Sequence, residues 1–199
     1  MLPGYIAYLV IPINIVAYFF YFKGILGGKV KPNLVSWSIW TIAPLLAFFF
    51  QIKAGAGLSS LPVFMAGFCP LLVIILAIVK RNSYWKLTAL DIYCGALALI
   101  ALLLYITTQN LSISILFAIL SDGLAAVPTI VKTWKFPDTE SPGPYIAGLS
   151  GNVLGLLIID NWIFTIYSFG LYNILINVCL ILPIYRERLS SLAIFGPKN

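Results

Sequence analysis

The sequence predicts an all-α, polytopic membrane protein with seven transmembrane helices. Of its 199 residues, 61% are hydrophobic and only 9% are charged, and the mean hydropathy is +1.03. A chain with so little polar sequence cannot cover the surface of a water-soluble domain. Its apolar residues also form long runs, each of a length that crosses the roughly 30 Å hydrocarbon layer of a bilayer. The lipid bilayer is therefore the first expected partner.

Seven apolar runs, separated by short connections, define the predicted helices. They cover residues 4–22, 34–52, 61–79, 87–106, 113–131, 145–159 and 163–185. The first run has no basic region before it and no small-residue cleavage site after it, so we interpret it as a helix of the protein and not as a signal peptide. The sixth run is the shortest and needs residues beyond its ends to reach spanning length.

Basic residues alternate along the connections. The first, third and fifth connections and the C-terminal tail carry them, whereas the second connection has only Lys53. The residues of the first group are Lys23, Lys29, Lys31, Lys80, Arg81, Lys86, Lys132, Lys135, Arg186, Arg188 and Lys198. With an odd number of crossings, the positive-inside rule places the N terminus outside and the C terminus in the cytoplasm. Topology and anionic lipid head groups thus explain the net charge of +6, and nucleic acid is not an expected partner.

The residue types that carry most enzyme and metal chemistry are scarce. Histidine is absent, and the three cysteines, Cys69, Cys94 and Cys179, all lie in apolar runs. Histidine is the commonest metal ligand, and a buried cysteine behaves most simply as a small hydrophobe. No metal site, no cofactor, no catalytic residue and no enzymatic activity are expected. The last predicted helix has no lysine for a retinal Schiff base, which argues against a seven-helix photoreceptor.

One carboxylate falls near the middle of a predicted transmembrane helix. Asp122 lies in the fifth run, where an ionised side chain costs several kcal/mol unless it has a cavity, a partner or a proton. Asp122 is therefore the main functional candidate, and a hydrogen-bonded residue that joins helices is the alternative. We interpret Asp91 as a first-turn residue that favours the helix dipole, and Asp138, Glu140 and Asp160 as solvated loop residues.

The two halves of the chain align with each other. A shift of about 108 residues superposes Asn14 on Asp122 and Trp37 on Tyr145, and it pairs helices one to three with helices five to seven. Both copies then have the same orientation, which predicts a parallel repeat with the fourth helix as a linker. Chance similarity between apolar segments is the alternative. The expected units are a first triple-helix bundle (1–80), a linker helix (81–108) and a second triple-helix bundle with a short cytoplasmic tail (109–199).

Two short segments carry a resemblance to known membrane proteins. The segment AVPTIVKTW (126–134), followed by a polar turn and Glu140, resembles the PQ-loop and SWEET-type transporter superfamily. The segment KPNLVSWSIW (31–40) resembles a signature of small bacterial membrane proteins near that superfamily. The resemblance implies a 3+1+3 arrangement of helices and a location in the bacterial cytoplasmic (inner) membrane.

Hinge positions follow from the same resemblance. The superfamily has a Pro-Gln dipeptide as a hinge on the first helix of each repeat. In this chain Pro128 is followed by Thr129, and the first helix has its proline earlier, at Pro12. Pro128 and Pro12 are therefore the candidate hinge residues.

We also expect a solute site between the two bundles. Its candidate lining residues are Asp122, Asn14, Trp37, Tyr145, Asn152 and Asn173. Trp37 and Tyr145 each begin the second helix of a repeat, where they form an aromatic wall or, alternatively, anchor the helix at the membrane interface. Asn152 belongs to a glycine-rich helix, which serves as a pocket wall or as a tight packing face.

These features favour a transporter or facilitator for a small-molecule solute, working by alternating access about a midplane site near Asp122. The alternative is a non-transporting membrane protein, namely an accessory subunit, a lipid-binding scaffold or a sensor. Both classes are compatible with a homo-oligomer.

Overall fold

The computed structural model describes residues 2–80, 84–108 and 110–194, with side chains as far as Arg186. Within these ranges the chain forms seven α-helices and three short 3-10 helices. The α-helices are α1 (Val10–Leu26), α2 (Leu34–Lys53), α3 (Leu61–Val79), α4 (Ala89–Thr107), α5 (Leu111–Lys135), α6 (Gly143–Leu157) and α7 (Phe164–Ile194). The 3-10 helices are Gly4–Leu9, Gly57–Ser60 and Pro137–Thr139. The described ranges contain no β-strand, so the all-α class is confirmed.

Six helical segments are long and apolar enough to cross a membrane. They are Gly4–Leu26, Leu34–Lys53, Gly57–Val79, Ala89–Thr107, Leu111–Lys135 and Phe164–Arg186. The protein is thus an integral membrane protein. The sixth predicted span corresponds to α6, which has 15 residues, whereas a spanning helix needs about 20. The shortest apolar run of the sequence is therefore also the shortest α-helix that the structure describes.

Local side-chain chemistry explains where several helices begin and end. The Asn33 side chain accepts hydrogen bonds from two backbone N–H groups in the first turn of α2. Thr88 and Asp91 form a capping box at the start of α4, which confirms Asp91 as a first-turn residue. Helix α1 ends at Leu26, and Gly28 just beyond it adopts a φ of +70°, a conformation that only glycine adopts without a steric penalty.

The helices pack into one bundle with an apolar outer surface. Helix α1 packs against α3 and α6, α5 packs against α7 and α2, and α4 lies along α5 and contacts α2. Large side chains such as Trp37, Tyr105 and Phe169 fill the interior. The outward face of α4 exposes Tyr93 and Leu103. In a membrane protein such exposed apolar side chains contact lipid.

Three connections meet at one end of the bundle. The N–H of Lys31 donates to the carbonyl of Thr139 at 3.0 Å, and the N–H of Trp85 donates to the carbonyl of Pro32 at 2.9 Å. These bonds join the α1–α2, α3–α4 and α5–α6 connections. Most of the lysines lie in these connections or in the adjoining helix ends, so we call this the basic end. The predicted basic residues that lie outside the described part of the structure are Arg81, Lys198 and the side chain of Arg188.

The remaining connections meet at the opposite end. There the N–H of Leu2 donates to the carbonyl of Leu157 at 3.2 Å. The side-chain amide of Gln51 donates to the carbonyl of Ile166 at 3.0 Å. The N-terminal segment, the end of α2 and the α6–α7 connection are thereby brought together.

Candidate functional site

A cavity of about 60 Å³ lies inside the bundle. Its described lining residues come from α1, α2, α3, α5, α6 and α7, and none of them comes from α4. One water molecule needs about 10–15 Å³ of such space, so the cavity holds roughly four to six water molecules. The helices of both predicted bundles therefore build the cavity, and the predicted linker stays outside it.

Five of the six candidate site residues line this cavity: Asn14, Trp37, Asp122, Tyr145 and Asn173. They come from α1, α2, α5, α6 and α7 and are separated by up to 159 positions in the chain, so only the tertiary fold brings them together.

Asn152, the sixth candidate, is not among the described residues of the cavity wall. It is buried, and its side-chain amide donates to the carbonyl of Gly148 at 2.8 Å. A Cβ atom at Gly170 would lie 3.6 Å from its Oδ1 atom. The glycine on α7 thus lets Asn152 pack between α6 and α7, which corrects the expectation that Asn152 lines the site.

Asp122 presents one oxygen atom to a protein partner and leaves the other without one. Its side chain is buried, with 4% of the residue exposed. The hydroxyl of Tyr172 donates to Oδ2 at 2.8 Å, and the indole N–H of Trp40 donates to the backbone carbonyl at 3.3 Å. Oδ1 accepts no hydrogen bond from any described residue. Among the described lining residues, Asp122 is the only charged side chain.

Sequence reasoning did not identify Tyr172 as the partner of Asp122. A Cβ atom at Gly123 would lie 3.4 Å from the Tyr172 hydroxyl, so the small residue next to Asp122 lets α7 approach α5. The available signal was this small residue beside a carboxylate. It marks a close helix contact without indicating which helix makes it.

Aromatic rings form one wall of the cavity. The ring centroids of Trp37 and Trp40 are 5.4 Å apart, and those of Trp40 and Tyr145 are 6.3 Å apart. Trp37 is 1% exposed and Tyr145 is 3% exposed, so neither is an interfacial anchor. Within the described structure, the indole N–H of Trp37 is buried and has no hydrogen-bond partner.

A buried ion pair lies next to this aromatic wall, at the basic end. Lys132 Nζ is 2.6 Å from Glu140 Oε2, and both side chains are almost fully buried. The hydroxyl of Tyr21 donates to Glu140 Oε1 at 2.7 Å. Lys132 also donates to the backbone carbonyl of Lys31 at 2.7 Å. The Tyr145 hydroxyl lies next to the Glu140 carboxylate.

The interpretation of Glu140 as a solvated loop residue is therefore wrong. Helix α5 ends at Lys135, and the 3-10 helix Pro137–Thr139 reverses the chain. This reversal returns Glu140 beneath the last turns of α5, where it meets Lys132. A carboxylate buried at this depth needs the cation and the donors that surround it. Asp138 and Asp160 are exposed.

The two candidate hinge prolines differ in their surroundings. Pro128 is buried within α5, and next to it the Thr129 hydroxyl donates to Ser36 at 2.7 Å. Pro12 is exposed and lies in the first turn of α1, directly after the 3-10 helix Gly4–Leu9. A proline in a first turn fits a helix without a kink, so Pro12 has less structural reason than Pro128 to bend its helix.

Comparisons with family models, with curated proteins and with solved structures each find no match to this chain. Among the described residues, no group of three histidine, cysteine, aspartate or glutamate side chains could hold a metal ion. The case for a function therefore depends on the cavity and its surroundings.

Proposed function

We propose that the protein is a membrane transporter or facilitator for a small solute. The solute crosses by alternating access at the cavity beside Asp122. The single observation that carries this proposal is a cavity inside the bundle whose one charged residue, among those described, has an oxygen atom without a partner in the described structure. A carboxylate kept for helix packing alone gains nothing from facing a cavity, whereas a transporter needs such a group to bind a proton or a solute.

The neighbour relations of the helices support a parallel repeat of three-helix bundles. In the first bundle, α3 contacts α1 and α2, and α1 also contacts α6 of the other bundle. The equivalent contacts exist in the second bundle, where α7 contacts α5 and α6, and α5 contacts α2 of the first bundle. Repeats of this kind are related by a pseudo-two-fold axis along the membrane normal, with the substrate site between them. Helix α4 then links the two bundles.

A pair of close approaches supports the same repeat. Ser36, in the first turn of α2, donates to the carbonyl of Ala125 at 2.6 Å. Gly143, at the start of α6, lies so close to the carbonyl of Ala17 that a Cβ atom would be 3.0 Å from it. Ala17 and Ala125 are equivalent under the shift of about 108 residues. In each bundle, the equivalent carbonyl (Ala17 or Ala125) therefore lies against the second helix of the other bundle.

The charge distribution favours one orientation in the membrane. We place the basic end in the cytoplasm and the N terminus outside, following the positive-inside rule. Helix α6 then also crosses the membrane, because it connects the basic end with the opposite end, and the total is seven crossings. Its 15 residues extend about 22 Å, and the α6–α7 connection supplies the remaining length.

Alternating access also needs closures on both sides of the cavity, and the two ends offer candidates. At the basic end, the Lys132–Glu140 pair and its bonds to Tyr21 and Lys31 join the proposed bundles. Glu140 also lines a second cavity, of about 260 Å³, with Asp138. We take this ion pair as the candidate gate at the basic end. At the opposite end the corresponding link is the neutral bond from Gln51.

Uptake into proteoliposomes tests the proposal. The screen covers sugars, amino acids, vitamins and organic acids, with and without a pH gradient, for the wild type and Asp122→Asn. Asn keeps the side-chain volume and removes the charge, so we expect loss of gradient-driven uptake with exchange partly retained. Asp160→Asn, an exposed carboxylate in a connection, is the matched control and should transport normally. Wild-type uptake by Asp122→Asn at every pH would contradict the proposed role of this residue.

Failure of the wild type with every solute class would favour the alternative, a non-transporting accessory subunit, lipid-binding scaffold or sensor. Reconstitution is checked first by the recovery of folded protein from the vesicles, so that an inactive sample is not scored as a negative result.

A further inference from the structure

We infer that the solute is a small organic ammonium ion. This inference rests on the proposed function and adds the chemical class of the solute. It follows from the charge, the walls and the size of the cavity.

The charge of the cavity selects a cation. Asp122 is the only charged residue among those described in the lining, and its Oδ1 atom accepts no hydrogen bond from them. At the basic end, the Lys132 ammonium is already bound to Glu140 and to a backbone carbonyl. A cationic group in the cavity therefore meets an unopposed carboxylate, whereas an anionic solute meets repulsion.

The walls and the volume narrow the class further. Trp37, Trp40, Tyr18 and Tyr145 surround the cavity with aromatic faces and edges, and aromatic faces attract organic cations. The volume of about 60 Å³ holds roughly four to six water molecules, which take about 120–180 Å³ as liquid, so the solute is limited to a similar volume. Amino alcohols of this size fit, and a hexose does not fit without widening of the cavity.

Three matched probes test the inference by direct binding to the purified protein in detergent. Choline has both the cation and the hydroxyl, tetramethylammonium has only the cation, and 3,3-dimethylbutan-1-ol is the neutral carbon analogue of choline. Isothermal titration gives each Kd. We expect choline to bind about tenfold or more tightly than the neutral analogue. Tetramethylammonium should also bind more tightly than the neutral analogue, because it keeps the cation.

One variant assigns this difference to a residue. Asp122→Asn should remove the preference for choline over the neutral analogue. Fluorescence-detected size exclusion checks folding.

The inference is overturned if the neutral analogue binds as tightly as choline, if Asp122→Asn keeps the wild-type order, or if folded wild-type protein binds no ammonium probe. Its failure is distinct from failure of the proposed function. Binding of choline without flux in proteoliposomes leaves the solute class standing and contradicts transport. Uptake of a neutral solute with no binding of ammonium probes leaves transport standing and contradicts the solute class.

Discussion

Two buried carboxylates in this molecule have very different surroundings. Glu140 meets the Lys132 ammonium, the Tyr21 hydroxyl and the backbone N–H of Ser141. Asp122 meets one tyrosine hydroxyl and a cavity. A carboxylate whose partners are all within the protein holds the structure in one state, whereas a carboxylate with a free oxygen atom can exchange partners. In the proposed function, Glu140 belongs to the closure at the basic end and Asp122 binds the solute in the middle of the bundle.

The strongest test of this contrast removes the cation of the buried pair. Lys132→Met leaves Glu140 buried without its counter-ion, and we expect a loss of about 3–5 kcal/mol in the free energy of unfolding. Reversible unfolding in mixed detergent micelles measures it. The double variant Lys132→Met with Glu140→Leu removes both charges and should recover most of the loss. A single variant as stable as the wild type would mean that the pair is not desolvated.

Neutral amides at the two carboxylates sharpen the contrast. Glu140→Gln leaves the Lys132 ammonium unbalanced, so we expect a loss of about 2–3 kcal/mol in unfolding free energy. Asp122→Asn keeps a hydrogen bond with Tyr172 and should change stability by about 1 kcal/mol or less. The same micelle assay measures both variants. Equal losses at the two positions would remove the distinction between a closing and a binding carboxylate.

A smaller effect is expected at Tyr172, the hydrogen-bond partner of the Asp122 side chain in the described structure. Tyr172→Phe removes a single buried hydrogen bond and should cost about 0.5–1.5 kcal/mol. Tyr93→Phe on the exposed face of α4 is the matched control and should leave stability unchanged. If the two variants behave alike, the bond to Asp122 contributes nothing to the folded state.

The smallest effect on stability is expected from substitutions that report orientation. In a background without native cysteines, Asp160→Cys and Lys29→Cys should both fold, because both positions are exposed. A membrane-impermeant maleimide should label position 160 in intact cells and position 29 only after permeabilisation. The reverse pattern would place the Lys132–Glu140 pair on the outside and exchange the roles of the two ends.

The sequence was sufficient for features that depend on local pattern. Apolar runs located the helices, and a carboxylate within one of these runs drew attention to Asp122, because the cost of burying charge is the same in any membrane fold. Asn33 and Thr88 cap α2 and α4 at the ends that the apolar runs suggest.

Features that depend on chain reversal or on helix rotation could not be predicted in this way. Glu140 is separated from Lys132 by a turn whose geometry places it under α5, and a polar turn looks solvated in a sequence. Asn152 faces α7 and not the cavity, because the rotation of a glycine-rich helix is set by its neighbours. The sequence also left the ends of the sixth helix undefined, and the structure places them at Gly143 and Leu157.

One amide links two helices at the basic end. Asn33 caps α2 with its oxygen atom and donates from its nitrogen atom to Asp91, so the first turns of α2 and α4 share one fixed point. Pro44, on the cavity wall, is 11 residues further along α2, or about 17 Å away at 1.5 Å per residue. A tilt of about 10° around Asn33 would therefore move Pro44 by roughly 3 Å, about the diameter of a water molecule. If α2 tilts during transport, Asn33 is thus the expected pivot, and a small rotation changes the width of the cavity at Pro44 by one water layer.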